Sequence, residues 1–344
     1  MDHPTPEEIR AARTDDMKMR DRDLAAKLGV REGELVAAFA GIDVTRIDPH
    51  PDTVMAAAGQ LGDVMALTRN EACVHEKDGF YDEYYTGDHA AMVLGPDIDL
   101  RIFPSHWCHA FMIDRDGKRS IQVFDAAGDA VHKLFLRDHS DHDAFNRLKS
   151  ELALSDQGQK LDLHPRTPVE AAKSNLEKLD ILRKEWKRLT DTHQFLRLVS
   201  KLKMNRLGAY RIAGEPFARR LATTEVDKAL HAIQASGMDV MVFVGNRGCI
   251  QIHTGPIQTL KSMGPWQNVL DPRFNLHLRL DKIAEVWSVM KPTQRGDAMS
   301  LEAFDANGGL ILQIFGVGKE GRDSRPAWQK LLKNLEGDVE ATVS

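Results

Sequence analysis

From Glu7 to about Ala40 the apolar residues fall at helical spacing. Leu24, Ala25 and Leu28, then Leu35 and Ala38, recur three or four apart, and Gly29 breaks the run. From Val64 to Val123 the period shortens. The runs AMVLG, IDLRIF, HAFMID and SIQVF alternate with Gly, Asp and Asn, which predicts an antiparallel meander. The segments Asp125 to Gly128 (DAAG) and Asp305 to Gly308 (DANG) read as hairpin turns, where Asn and Gly tolerate positive φ. Asp141 to Leu152 reads as a capped helix. The polar, two-proline stretch from Asp156 to Ser174 reads as a connection. A long helical region is predicted from Leu176 to about Leu202, followed by a second meander.

The pattern occurs twice. Val64 to Gly79 (VMALTRNEACVHEKDG) resembles Val240 to Gly255 (VMVFVGNRGCIQIHTG), and 240 − 64 gives an offset of 176 that pairs Asn70 with Asn246 and Cys73 with Cys249. The same offset sets Arg101 opposite His277. Around Phe124 and Phe304 the offset is 304 − 124 = 180. LAAKLGVREGELVAAFAG likewise resembles LVSKLKMNRLGAYRIAGE. Each half is therefore helices, then sheet, then a closing helix. The fold expected is α+β, a tandem repeat in which each half is a large antiparallel β-sheet packed with helices. The expected division is an N-terminal repeat over 1–160 and a C-terminal repeat over 161–344.

Composition adds limits. A chain of 344 residues with 42% hydrophobic content can build a core in each half. A net charge of −5 argues against a broad basic nucleic-acid surface. The three cysteines, Cys73, Cys108 and Cys249, form no CxxC pair and suit a reducing compartment. No signal peptide and no apolar run of about 20 residues is apparent, so a cytoplasmic protein without membrane insertion is expected.

Residues present in only one half are the candidates for chemistry. His193 continues the face of Leu179, Leu182, Trp186, Leu189 and Leu196, where an imidazole is either a satisfied core histidine or a ligand. Alternatively Thr190 or Asp191 caps a new helix, with Gln194 completing a capping box and His193 in the first turn. The matching KMRDRD of the first half has no histidine. Arg101 alternates with Leu100 and Ile102 on a strand, and by itself reads as a solvated charge. His106 and His109, on opposite faces of one strand, cannot share a metal, and His139 and His142 lack further ligands. DLAAKLGVREGELVAAF has the shape of a helix-turn-helix, which keeps open a DNA-binding regulator. A structural or storage protein is a third reading.

VMALTRNEACVHE, IDLRIF, DTHQF, MVFVGN, VMKPT and SLEAFDANGGLILQIFG, in that order, resemble the bacterial haemin-degrading and haem-trafficking factors of the HemS/HmuS/ChuS type over essentially the whole chain. The resemblance implies one haem b in the C-terminal half. It implies His193 as the iron ligand and Arg101 at the other haem face, both close to any catalysis. It also implies Arg206, Lys291 and Gln313 near the propionates, Phe243 as a pocket aromatic, and His75 as a ligand to a second haem. A haem ABC importer and a haem oxygenase are the implied partners. Whether such a protein carries haem or opens the macrocycle itself, with an external reductant, stays open. Gly318 replaces a family arginine in Phe315-Gly316-Val317-Gly318, and Lys319 or Arg322 is expected to substitute. A ligating imidazole must be neutral, so binding is expected to weaken in acid.

Overall fold

The computed structural model describes residues 3–319 and 321–338. They form two compact units. The first contains residues 3–69, 75–167 and 245–251, and the second contains 70–74, 168–244 and 252–338. The change from one to the other at Thr167 falls inside the polar connection.

In the first unit, α1 (Pro6–Asp15), α2 (Asp21–Leu28) and α3 (Glu32–Ala37) precede β1 (Val44–Ile47) and α4 (Pro51–Ala58). Gly29 ends α2 in the left-handed conformation at φ 72°, which explains the break in the pattern. A second break falls at Asp16 to Arg20, where the sequence suggested none. β2 (Val64–Arg69), β3 (Cys73–Gly79), β4 (Tyr84–Tyr85), β5 (Ala91–Leu94), β6 (Asp99–Ile102), β7 (His109–Arg115), β8 (Lys118–Phe124) and β9 (Ala130–Leu136) follow. They are not one meander. Six strands run in the order β1-β7-β8-β9-β2-β3, and three in the order β6-β5-β4. The closing helix α5 (His142–Glu151) is capped by Asp141, which accepts the backbone N–H of Ala144.

The second unit repeats this plan. α6 (Leu179–Trp186), α7 (Gln194–Lys201) and α8 (Arg206–Ala213) lead to β10 (Ala218–Leu221) and α9 (Glu225–Ser236). Then come β11 (Val240–Gly245), β12 (Cys249–Gly255), β13 (Leu260–Met263), β14 (Trp266–Asp271), β15 (Phe274–Arg279), β16 (Glu285–Lys291), β17 (Ala298–Phe304), β18 (Leu310–Gly316) and the closing helix α10 (Arg325–Asn334). The strand orders are β10-β16-β17-β18-β11-β12 and β15-β14-β13. Strand for strand, this is the order of the first unit, as duplication predicts.

Local chemistry fixes the matching turns. Asp125 and Asp305 each accept two backbone N–H groups of their own turn, and Gly128 and Gly308 take φ of 78° and 89°. On β2 and β11 burial alternates strictly, so one face of each strand enters a core and the other does not. In the second unit, Val242, Val244, Leu301, Ala303, Leu312 and Ile314 pack with α9 and α10 on one face. Trp287, Val289 and Phe304 pack with α6 to α8 on the other.

The helix-turn-helix reading fails on burial. Gly33, Leu35, Val36 and Ala37, four of the six residues of α3, are buried, and Leu35, Val36 and Ala37 lie in a core with Phe111 and Phe124. A helix so occupied offers no face to a DNA groove. Among the described residues no helix is long and apolar enough to cross a membrane.

Candidate functional site

The expected helix from Leu176 to Leu202 is broken. α6 stops at Trp186, and α7 starts at Gln194 with His193 as its N-cap. The run Thr190-Asp191-Thr192 supplies side chains that compete for backbone partners. Asp191 accepts the His193 backbone N–H at 2.7 Å, and the Gln194 amide oxygen accepts the Thr190 N–H at 3.0 Å. Of the two readings of His193, the junction describes its place and the apolar seam does not. Leu182, Trp186 and Leu189 are buried, but the His193 side chain is 91% exposed.

Its orientation is nonetheless defined. His193 Nδ1 lies 2.7 Å from Asp191 Oδ1. The carboxylate is an acceptor, so Nδ1 carries the proton and the Nε2 lone pair is left for a ligand. The backbone N–H of His193, then its ring, hold the Asp191 carboxyl below its ordinary value.

Arg206, Lys291, Gln313 and Phe243 converge on one sheet face of the same unit. Register pairs Trp287 with Glu302, Glu302 with Gln313, and Gln313 with Phe243, across β16, β17, β18 and β11. Paired residues project to the same side. Phe243 and Phe315 meet edge to face at 5.2 Å, both half-buried. Gln313 is also half-buried, so this part of the face is apolar, aromatic and partly open.

The hub of the row is a residue that sequence reasoning missed. Glu302 is fully buried and accepts from Arg206 Nη1 at 3.0 Å, Lys291 Nζ at 2.9 Å, Ser300 Oγ at 2.8 Å and the Tyr210 hydroxyl at 3.0 Å. Burial alone would raise its carboxyl, but Lys291 and then Arg206 bring it down to about 2. Burial lowers Lys291, and Glu302 opposes the shift without cancelling it. Burial raises the Tyr210 hydroxyl, and Glu302 adds to the effect. Tyr210 stacks on Phe195 at 5.6 Å, and Phe195 packs on Trp186. The helix that begins after His193 is thus anchored by the residues around the cluster. The available signal was parity: Ser300 and Glu302 are two polar groups on the inward side of a strand.

The other predicted residues belong to the first unit. Arg101, in the first unit, projects opposite the buried Leu100 and Ile102, as its alternation suggested. It donates to Asp99 and to the Leu100 carbonyl. His75, expected at a second haem, is fully buried on β3. His106 ends a 3-10 turn and His109 opens β7, so the two do not share a strand as supposed.

Arg325 is the side chain nearest to Gly318. Arg322 is held by Asp239 at 2.7 Å, and the Lys319 side chain lies outside the described residues. A Cβ at Gly318 would lie 2.9 Å from Arg325 Nε. Arg325 therefore fills that space from the start of α10, and it is bound to both oxygens of Asp323 and to the Arg295 carbonyl.

Comparison with known proteins agrees with this architecture. The family model of the haemin-degrading HemS.ChuX domain matches twice, over residues 29–152 and 203–335. The chain is 35% identical to the hemin transport protein HmuS of Yersinia pestis over 319 residues, 91% of this chain and 92% of that protein. It is 34% identical to the hemin transport protein HemS of Yersinia enterocolitica over 336 residues, 96% of each. Among solved structures, PhuS, a heme-binding protein from Pseudomonas aeruginosa, superposes in its holo form with a TM-score of 0.91 at 44% identity, over 97% of this chain and 100% of that one. ChuS, an E. coli heme oxygenase, gives 0.84 at 32% identity, over 94% and 98%. The chain belongs to the haemin-degrading HemS/ChuX family.

Proposed function

We propose that this protein binds haem in its second unit and serves iron acquisition in the cytoplasm. It would receive haem from an ABC importer and pass it to a haem oxygenase or open the macrocycle itself. Haem is flat, apolar and dianionic, and it needs an imidazole, an apolar shelf and cations. His193 Nε2 is the proposed iron ligand. The observation that carries this reading is the exposed His193 ring with Nδ1 held by Asp191, the arrangement that orients a ligating histidine. Phe243 and Phe315 supply an aromatic surface, and Arg206, Lys291 and Gln313 supply the polar side.

Arg101 is proposed, from the family resemblance, as a hydrogen-bond donor at the second face of the iron. A guanidinium keeps its proton and cannot be a strong ligand. Opening the macrocycle needs dioxygen and electrons, the latter from an external reductant. Haem titration, followed by ascorbate or a reductase system in air with catalase present, tests this. A saturable Soret band is expected. Its decay with release of iron and a bilin would mark an enzyme, and its survival a carrier. Absence of saturable binding would overturn the proposal. Arg101→Ala is expected to change turnover or the sixth ligand while keeping most affinity.

A further inference from the structure

The cluster around Glu302 holds two cations and one anion. Arg206 and Lys291 both contact the same carboxylate, and the other partners, Tyr210 and Ser300, are neutral. The cluster therefore carries one surplus positive charge. A buried surplus charge is costly unless an anion meets it.

The first unit shows that the fold does not require this surplus. Taking 180 from 300, 302 and 313 gives Ser120, Gln122 and Lys133. The helix segments match at 198 − 24 = 174, so Arg206 corresponds to Glu32, and each residue opens its helix. Lys133 pairs with Glu32 there, and Gln122 binds Ser120. The corresponding cluster is neutral.

We propose that Glu302 is a positioning residue. It keeps buried Lys291 in its ammonium form and beside Arg206, so the open face next to Gln313 presents one net positive charge to one carboxylate of the ligand. The inference rests on the haem-binding reading above. All the ionisable groups within the cluster take part: Arg206 and Tyr210 from α8, Lys291 from β16 and Glu302 from β17. α7 contributes only the Phe195 ring, 5.0 Å from Lys291 Nζ, and β18 contributes neutral Gln313. In Glu302→Gln the ammonium loses its only carboxylate partner in the cluster. Lys291 then sheds its proton in the free protein and takes one up when the ligand carboxylate arrives.

The test uses iron-free protoporphyrin IX and its dimethyl ester, so that His193 ligation does not enter. Affinities are measured by fluorescence from pH 7 upward, on full-length wild type, Glu302→Gln and Glu302→Asp. The wild type and Glu302→Asp are expected to prefer the diacid and to keep that preference to higher pH. Glu302→Gln is expected to lose diacid affinity about tenfold per pH unit above its Lys291 pKa, the signature of one proton taken up on binding. Ester binding should be independent of pH throughout. A Glu302→Gln profile matching wild type, or an equal change for diacid and ester, would overturn the inference. Should Glu302→Gln not fold, Lys291→Met in the otherwise wild-type chain decides, because the remaining Arg206–Glu302 pair is neutral. Collapse of the diacid preference is expected, and an unchanged preference overturns the inference. Wild type that binds haem but neither porphyrin overturns the inference, and wild type that binds none of the three removes the haem-binding reading as well.

Discussion

The two units fill one half-buried position with opposite charges. In the first, Glu32 at the start of α3 meets Lys133 on β9, and Gln122 stands on the strand between β7 and β9. In the second, Arg206 at the start of α8 meets Glu302 on β17, and Lys291 joins from β16. Arg115, which corresponds to Lys291 at an offset of 291 − 115 = 176, is instead paired with Asp43. The helix junctions differ in the same way. α2 is preceded by Arg20 and α7 by His193. Strand order and turns are shared, so the scaffold is indifferent to these substitutions. What distinguishes the second unit is an oriented imidazole and a surplus cation, and those are the groups an anionic metalloporphyrin requires.

Removal of Glu302 should break the comparison most sharply. Glu302→Ala leaves buried Lys291 and half-buried Arg206 without their shared carboxylate and is expected to cost about 3–5 kcal/mol. Glu32→Ala leaves one cation and should cost about 1–3 kcal/mol. Urea unfolding of the two variants measures the difference, and equal losses would contradict it.

Acid should separate the units next. Glu302 is held at about 2, below an ordinary value of 4.5, so the folded state binds fewer protons than the unfolded chain. Its contribution is complete above 4.5 and is lost as pH falls toward about 2. His132 in the first unit is fully buried between Thr68 and Tyr81, and burial pushes it from 6.5 down to about 3. It is neutral in the fold, so its contribution is complete above pH 6.5 and declines as pH falls toward about 3. Stability against pH should show a first decline below pH 6.5 and a second below 4.5. In His132→Gln the first decline is expected to shrink while the second stays. An unchanged profile would count against the role of His132.

A smaller effect is expected at Asp191. The neutral amide of Asp191→Asn is a weaker acceptor for His193 Nδ1, and the pair lies at the surface. Haem affinity should fall about 10- to 100-fold with little change in stability. Titration of haem into the folded variant measures this, and wild-type affinity would show that the contact orients nothing.

Much of this was readable from the chain. The repeat was visible because the strands at Val64 and Val240 keep one alternating pattern and their turns keep Asn70 and Asn246. The capped helix at Asp141 and the DAAG and DANG turns followed from side-chain and backbone chemistry acting within a few residues. The long helix through Leu189 did not survive, because periodicity cannot register a cap: Asp191 and Gln194 rewire the backbone inside an unbroken apolar stripe. The single meander failed for a related reason. Strand order depends on partners far apart in sequence, and β4 to β6 pair among themselves away from β7. Lys291, Arg206 and Gln313 came from family resemblance. Glu302 binds two of them and pairs in register with the third, and it was passed over because a lone glutamate on a strand reads as a solvated charge. Arg325 was missed because its relation to Gly318 exists only after α10 packs on β18.

The measurement that tests the central claim most directly is a haem titration of His193→Ala beside wild type, followed at the Soret band. The account predicts saturable tight binding by wild type and its loss in the variant, with both proteins folded. An unchanged Soret band and affinity in His193→Ala would contradict it.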